Sequence, residues 1–350
     1  MKKRDLILNL TAIALLGIFL FYVKKNVGSY ETRILNLCAI NAILAMSMNL
    51  INGFTGLFSL GHAGFMAVGA YTSALLTMST NDKLATFYMT PLISPLDKIT
   101  VPFFVAIIAA GIMAAIVGWL IGYPSLRLKG DYLAVATLGF GEIIRIVFTN
   151  TQNITNGALG IKSIPITTNL WWSFGLALVT LFVLVSLINS SFGRALKAIR
   201  EDEIAAEAMG ISLAKLKTLS FVIGAFFAGI GGALLGNLIG SIEPKQFTFL
   251  LTFNILLIIV LGGMGSITGS IISSFIVTIG MEWLRFLDEP LNLGFMVTVA
   301  KPGIRMVVFS ALLVLCVIFF SRGIMGTQEI TWDGIFGLFK RKKKAKGGIS

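Results

Sequence analysis

Apolar runs of roughly bilayer length recur along the whole chain, separated by short polar stretches. They fall at 6–23, 34–51, 57–78, 101–122, 133–149, 170–189, 218–240, 250–261, 267–287 and 303–320. A helix needs about 20 predominantly apolar residues to cross the hydrocarbon core, so the pattern predicts an all-α polytopic membrane protein with ten candidate spans. Two of them fit poorly. The 250–261 run is too short unless it starts nearer Phe247 and takes in Gly262 and Gly263, and the third run opens in a glycine-rich stretch from Gly53 to Gly69. Both are candidates for broken or re-entrant helices, which leaves eight to ten spans. The first run follows Lys2, Lys3 and Arg4 as the core of a signal peptide would. It is long for one, and Lys24, Lys25 and Asn26 follow it in place of a small-residue cleavage site, so it reads as a retained span.

One segment breaks the pattern. Arg194 to Gly210, RALKAIREDEIAAEAMG, has nine apolar and seven charged residues among seventeen, a composition that suits neither the bilayer core nor a strand. At about 100° per residue, Ala195, Ala198, Ile199, Ala205, Ala206 and Met209 gather on one side, with Asp202 alone among them. Arg194, Lys197, Arg200, Glu201, Glu203 and Glu207 take the other. The pattern predicts a single amphipathic helix outside the membrane, ended by Gly210, whose alanine face lets another surface approach closely. Its place between two long spans favours a docking helix over a solvated linker. The chain then divides into a membrane domain over 1–322, with the docking loop at about 190–217, and a basic tail over 323–350.

Composition supports this reading: 56% hydrophobic residues, 13% charged residues and a mean hydropathy of +0.89 describe a membrane protein. A net charge of +12 would suggest nucleic acid as the partner of a soluble protein, but here the lysines and arginines lie at the termini and between spans. With ten spans and a cytoplasmic N-terminus, seventeen Lys and Arg fall on the inside and eight on the outside. The positive-inside rule therefore places both termini and the amphipathic helix in the cytoplasm. The run from Lys340 to Lys346 is a positive-inside anchor.

Candidate chemistry is sparse. Cys38 and Cys316 both lie in apolar runs and read as two buried thiols. His62 is the one histidine, and HExxH, GxSxG and Walker A sequences are absent. No metal site and no cofactor is expected, and any ATP used must be bound by another chain. Gly53, Gly56 and Ser59 recur at a spacing of three, as do Gly262, Gly265 and Thr268, 209 positions later. A supersecondary unit repeated in parallel in the two halves accounts for this, since transporters place glycine-interrupted helices beside the pathway; tight helix packing through small residues is the simpler account. Gly53, Gly56, Ser59, Gly61, His62, Gly262 and Gly265 are the candidate pathway residues, with His62 read as a structural hydrogen-bonding group. Glu142 and Arg145 lie three apart near the outer end of their span, as do Glu282 and Arg285. Pairing along the helix is the simplest reading of both. The alternative is an outer-vestibule contact, with Glu142 and Arg145 as its candidates.

Together the segments GFTGLFSLGHAGFMAVGAY from Gly53, YPSLRLKGDYLAVATLGFGEIIR from Tyr123, FGRALKAIREDEIAAEAMGI from Phe192 and LGGMGSITGS from Leu261 carry a resemblance. The chain resembles permease subunits of the ATP-binding-cassette importers for branched-chain amino acids, of the LivM type, from about residue 33 to 323. In that family a cytoplasmic loop carries a degenerate motif of a glutamate and two alanines, followed after three residues by a glycine. Ala205, Ala206 and Gly210 match it, Ile204 takes the glutamate position, and Glu203 and Glu207 flank it. The resemblance implies ATPase coupling through Arg194, Ala205, Ala206, Glu207 and Gly210. It also implies a second permease subunit, two cytoplasmic ATPase subunits, an extracytoplasmic amino-acid-binding protein, a small-molecule substrate and a location in the bacterial inner membrane. Leucine, isoleucine and valine are the expected substrates. Permeases for urea and short amides are close relatives, and an ion-gradient-driven transporter is the alternative from another mechanistic class.

Overall fold

The computed structural model of the chain describes residues 3–128, 130–288 and 323–330, with scattered positions between 307 and 318. The run at 303–320, Cys316 and the Lys340–Lys346 anchor lie largely or wholly outside the described residues. Among those described, the chain forms α1 (Lys3–Asn26), α2 (Ser29–Asn49), α3 (His62–Thr77), α4 (Thr80–Thr86), α5 (Phe103–Ser125), α6 (Asp131–Asn150), α7 (Gln152–Thr155), α8 (Leu170–Asn189), α9 (Ser191–Glu201), α10 (Glu203–Ala208), α11 (Leu213–Ile239), α12 (Phe249–Gly262) and α13 (Ile267–Trp283). Short 3₁₀ and π turns connect them, and no strand occurs among the described residues.

Among the described residues, six segments are long and apolar enough to cross a membrane: Ser29–Phe54, Phe103–Ser125, Asp131–Asn150, Leu170–Asn189, Leu213–Ile239 and Pro244–Gly262. The chain is an all-α, multi-pass membrane protein. The 6–23 run lies within α1. The runs at 57–78 and 267–287 give shorter helices, of 16 and 17 residues, about 24–26 Å long. For α3 the reason is local: the chain from Thr55 to Gly61 is not helical, so the helix starts five residues later than its apolar composition suggests. The 250–261 run is completed at its start by a 3₁₀ turn over Pro244–Gln246.

The centre of the bundle is α11, packed on α2, α3 and α5. Lipid tails are as apolar as leucine, so association inside a bilayer depends on close contact between backbones. Glycines provide it. A Cβ on Gly69 of α3 would stand 2.1 Å from the Gly229 carbonyl oxygen of α11, and one on Gly232 would stand 2.1 Å from that of Met66. The buried Asn237 in this interior is matched: it donates to the Ser73 hydroxyl (2.6 Å) and the Ala233 carbonyl (2.9 Å) and accepts from Thr77. Cys38 is a buried free thiol. Outward, Ile112, Ile116, Val135, Val147, Val179 and Phe182 are exposed, forming an apolar outer surface.

The two ends differ. At one, loops are knitted together. Ile161 and Ile242 exchange backbone hydrogen bonds of 2.9 Å, and Ile93 donates to the Asn153 carbonyl. Lys83, 1% exposed, donates from Nζ to the carbonyls of Leu96 (2.8 Å) and Ile99 (2.5 Å). Burial lowers its pKa below the usual lysine value, against the pull of Asp97. At the other end α9 and α10 project between α8 and α11. Residues 323–330 pack here too: Ile324 donates to the Leu261 carbonyl, and Glu329 accepts from the first amides of α13.

Candidate functional site

The segment from Arg194 to Gly210 is two helices rather than one. Asp202 leaves helical geometry (φ −156°, ψ 111°), and its carboxylate accepts from the amides of Ile204 (2.8 Å) and Ala205 (3.0 Å). It is an N-cap, filling two of the donors a helix start leaves open. That explains the acid that sat among apolar residues on the helical projection. The end of α10 is a Schellman turn: Gly210 takes φ +82°, its amide donates to Glu207, and the Ile211 amide donates to Ala206.

The break rotates the faces. Helix α9 buries Gly193, Leu196 and Ile199, while α10 buries Ala206 alone. Lys217, on the first turns of α11, donates to Glu203 (2.5 Å) and ties α10 down. The expected alanine docking face is thereby corrected: Ala206, 3% exposed, is packed inside the chain. Ile204 (77%) and Met209 (83%) stand out instead, with Ala205 and Glu207 beside them. Arg194 is exposed and donates to the Ser191 hydroxyl (2.9 Å).

The two glycine-rich segments, 209 residues apart, meet in space. Helix α2 runs into a π turn over Leu50–Phe54, and α12 ends at a turn in which Gly263 and Gly265 have φ of +113° and +95°. Asn49 joins them: its Oδ1 accepts from the Gly265 amide (2.9 Å), and its Nδ2 donates to the Ser266 carbonyl (2.9 Å) and the Ser270 hydroxyl (2.7 Å). A Cβ on Gly53 would lie 2.5 Å from the Gly265 nitrogen, and one on Gly262 would lie 2.4 Å from the Gly269 carbonyl oxygen. Gly56 (φ +74°) faces α9. Beyond the π turn the chain is held by Asn52, whose side chain both donates to and accepts from the Ser59 backbone (3.3 Å each). Gly61 closes against the Thr137 carbonyl.

His62 opens α3 and is buried, with Nε2 2.9 Å from the Ser47 hydroxyl. That is the geometry of a structural hydrogen bond. Glu142 and Arg145 form an ion pair at 2.6 Å, half-buried on α6. Glu142 lies eleven residues after Asp131, about 16 Å along a 20-residue helix, nearer its middle than its end. Glu282 pairs with Arg285 (3.2 Å) and accepts from the Tyr30 hydroxyl. Near it, a hollow of about 210 Å³ between α2, α12 and α13 is lined by Leu37, Asn41, Ile258, Thr278, Met281 and Glu282, among others. Among the described residues no group of three or more His, Cys, Asp or Glu is placed to hold a metal ion.

Residues 30–317 match the family described as the permease component of branched-chain amino acid transport systems. The chain belongs to this family. It is 36% identical to the high-affinity branched-chain amino acid transport system permease protein LivM of Escherichia coli K12, over 73% of this chain and 64% of the relative. It is 30% identical to the probable LivM of Methanocaldococcus jannaschii (65% and 73%) and 26% identical to LivH of E. coli (83% and 92%). The chain spans slightly less than two thirds of the LivM proteins of E. coli and Salmonella typhimurium, 64% and 62% of their lengths. No solved structure matches it. The match takes in both glycine-rich turns and the α9–α10 pair, whereas α1 precedes it.

Proposed function

We propose that the chain is the membrane-spanning permease subunit of an ATP-driven importer for leucine, isoleucine and valine, energised by separate ATPase subunits. The observation that carries the reading is the α9–α10 projection: a charged, exposed pair of short helices at one end of an apolar bundle, in a chain of a branched-chain amino acid permease family. A solvated linker needs no exposed Ile204 and Met209 flanking Glu207. A docking surface does, because apolar anchors within a polar rim supply most binding energy. Arg194, Ala205, Glu207 and the turn at Gly210 border the contact, while Ala206 supports it from behind.

The excess of lysine and arginine supports a cytoplasmic side for this end, and the reading takes the membrane to be a bacterial inner membrane. The knitted loops at the opposite end then receive an extracytoplasmic binding protein. A second permease subunit covers part of the exposed apolar surface, and the solute passes near the two glycine-rich turns. This chain moves its substrate without altering it; ATP hydrolysis belongs to the partner chains.

The test is to tag the chain, co-express it with its neighbouring genes and purify it in mild detergent. An ATPase is expected to travel with it. A chain that purifies free of any ATPase, under conditions that keep its second permease bound, would overturn the reading.

A further inference from the structure

Arg200 lies on the last turn of α9, on the polar face of the segment, and nothing in the motif points to it. Its side chain nevertheless enters the junction of the two glycine-rich turns. Nη1 donates to the Gly53 carbonyl (3.1 Å), while Nε and Nη2 donate to one oxygen of Glu201 (3.2 and 2.6 Å). Three glycines line its slot. A Cβ on Gly56 would stand 2.9 Å from the Arg200 Cγ and 3.3 Å from its Cα, and one on Gly265 would stand 2.8 Å from Nη1. Gly53 meets the same place from behind, against the Gly265 amide. Two of the three have positive φ, which other residues adopt only with strain.

The chemistry of the contact is specific. Gly53 belongs to the π turn that ends α2, where helical carbonyls lack intrahelical donors and the helix dipole is negative. A guanidinium there satisfies an open acceptor and complements the dipole. Beside it, Lys197 lies over the Phe54 ring (5.8 Å), so α9 grips the π turn at two points. Asn49 continues the chain of bonds from α2 into Gly265, Ser266 and Ser270. A displacement of α9 therefore pulls on both turns through one side chain, and both turns are built of residues able to absorb a change in φ and ψ.

We propose that Arg200 is the positioning residue that passes movement of the ATPase-docking helices to the two glycine-rich breaks beside the pathway. The inference rests on the function proposed above. It is tested in proteoliposomes containing the whole complex, by measuring labelled leucine uptake and ATP hydrolysis per assembled complex, with and without loaded binding protein. Arg200→Ala is expected to assemble and hydrolyse ATP at a basal rate, but to lose at least tenfold in uptake and in stimulation by the binding protein. Arg200→Lys, which reaches the Gly53 carbonyl but cannot also fork to Glu201, is expected to fall between the two. Uptake and stimulation at wild-type level in Arg200→Ala would overturn the proposal. Should Arg200→Ala not assemble, Arg200→Lys decides: lowered coupling in an assembled complex supports the proposal, and wild-type coupling or failed assembly sinks it. If the wild-type complex itself shows no ATP-dependent uptake, the functional reading fails rather than the role of Arg200.

Discussion

Replacing Ile204 and Met209 with alanine separates docking from folding. Both side chains are more than three-quarters exposed, and surface substitutions of this kind change stability by about 0.5 kcal/mol or less. Covering them with a partner removes their apolar surface from water. Ile204→Ala deletes three carbons, worth about 2 kcal/mol at about 0.8 kcal/mol per methylene group when burial is nearly complete. That is roughly a 30-fold loss of affinity. Met209→Ala deletes a similar volume, and the double variant is expected to weaken binding by about 1,000-fold if the two act independently. The assay is a titration of the purified permease with its purified ATPase in detergent, read by fluorescence anisotropy, alongside thermal unfolding of the permease alone. The expected result is a large fall in affinity at an unchanged unfolding temperature. Wild-type affinity in the double variant would refute docking through this surface. Ala206→Arg serves as contrast: it drives a guanidinium into the buried side of α10 and is expected to lower the unfolding temperature itself.

Three further outcomes follow from particular contacts. Gly69→Val places a side chain on the Gly229 backbone. Overpacking of about 2 kcal/mol is expected to lower the unfolding temperature by about 3 °C, whereas Gly175→Ala, with nothing within 4 Å, is expected to leave it unchanged or raised. Asp202→Ala removes the cap of α10, about 1 kcal/mol, so hydrogen exchange of the α10 amides is expected to speed up about fivefold while α9 stays protected. Lys83 has a folded pKa below its unfolded value, so the unfolded chain binds more protons in the window just under pH 10.5, and stability contributed by this group rises with pH across it. The difference in unfolding temperature between wild type and Lys83→Met is expected to shift in favour of wild type from pH 9 to 10.5; an opposite shift would contradict the burial argument.

The long spans were legible because apolar length is a composition signal. The run at 170–189 coincides with α8, and those at 101–122 and 218–240 differ from α5 and α11 by a few residues at their ends. Composition does not say which face of such a helix packs inward, since lipid and protein interior are equally apolar; the glycines say it, as at Gly69 and Gly229. The same blindness hid the late start of α3, where Leu57 to Gly61 reads as the start of the 57–78 span but is held in an irregular path by Asn52 and Ser59. The break at Asp202 was legible in principle, because an aspartate two residues ahead of an Ile-Ala-Ala run is a capping signal. Read as one continuous helix, the segment put Ala206 on the wrong side. Asn49 and Arg200 act across 216 and 147 residues respectively, and no local pattern foretells such contacts. A polar residue inside an apolar run, as in MSMNLING, was the signal available for Asn49.

ATP-driven import of branched-chain amino acids, the function proposed above, is tested by uptake into proteoliposomes holding this chain with its second permease and ATPase. Labelled leucine is expected to accumulate only when ATP is present on the α9–α10 side and loaded binding protein on the other, and to continue when proton and sodium gradients are collapsed. Uptake that follows an ion gradient without ATP, or that takes labelled urea in preference to leucine, would contradict it.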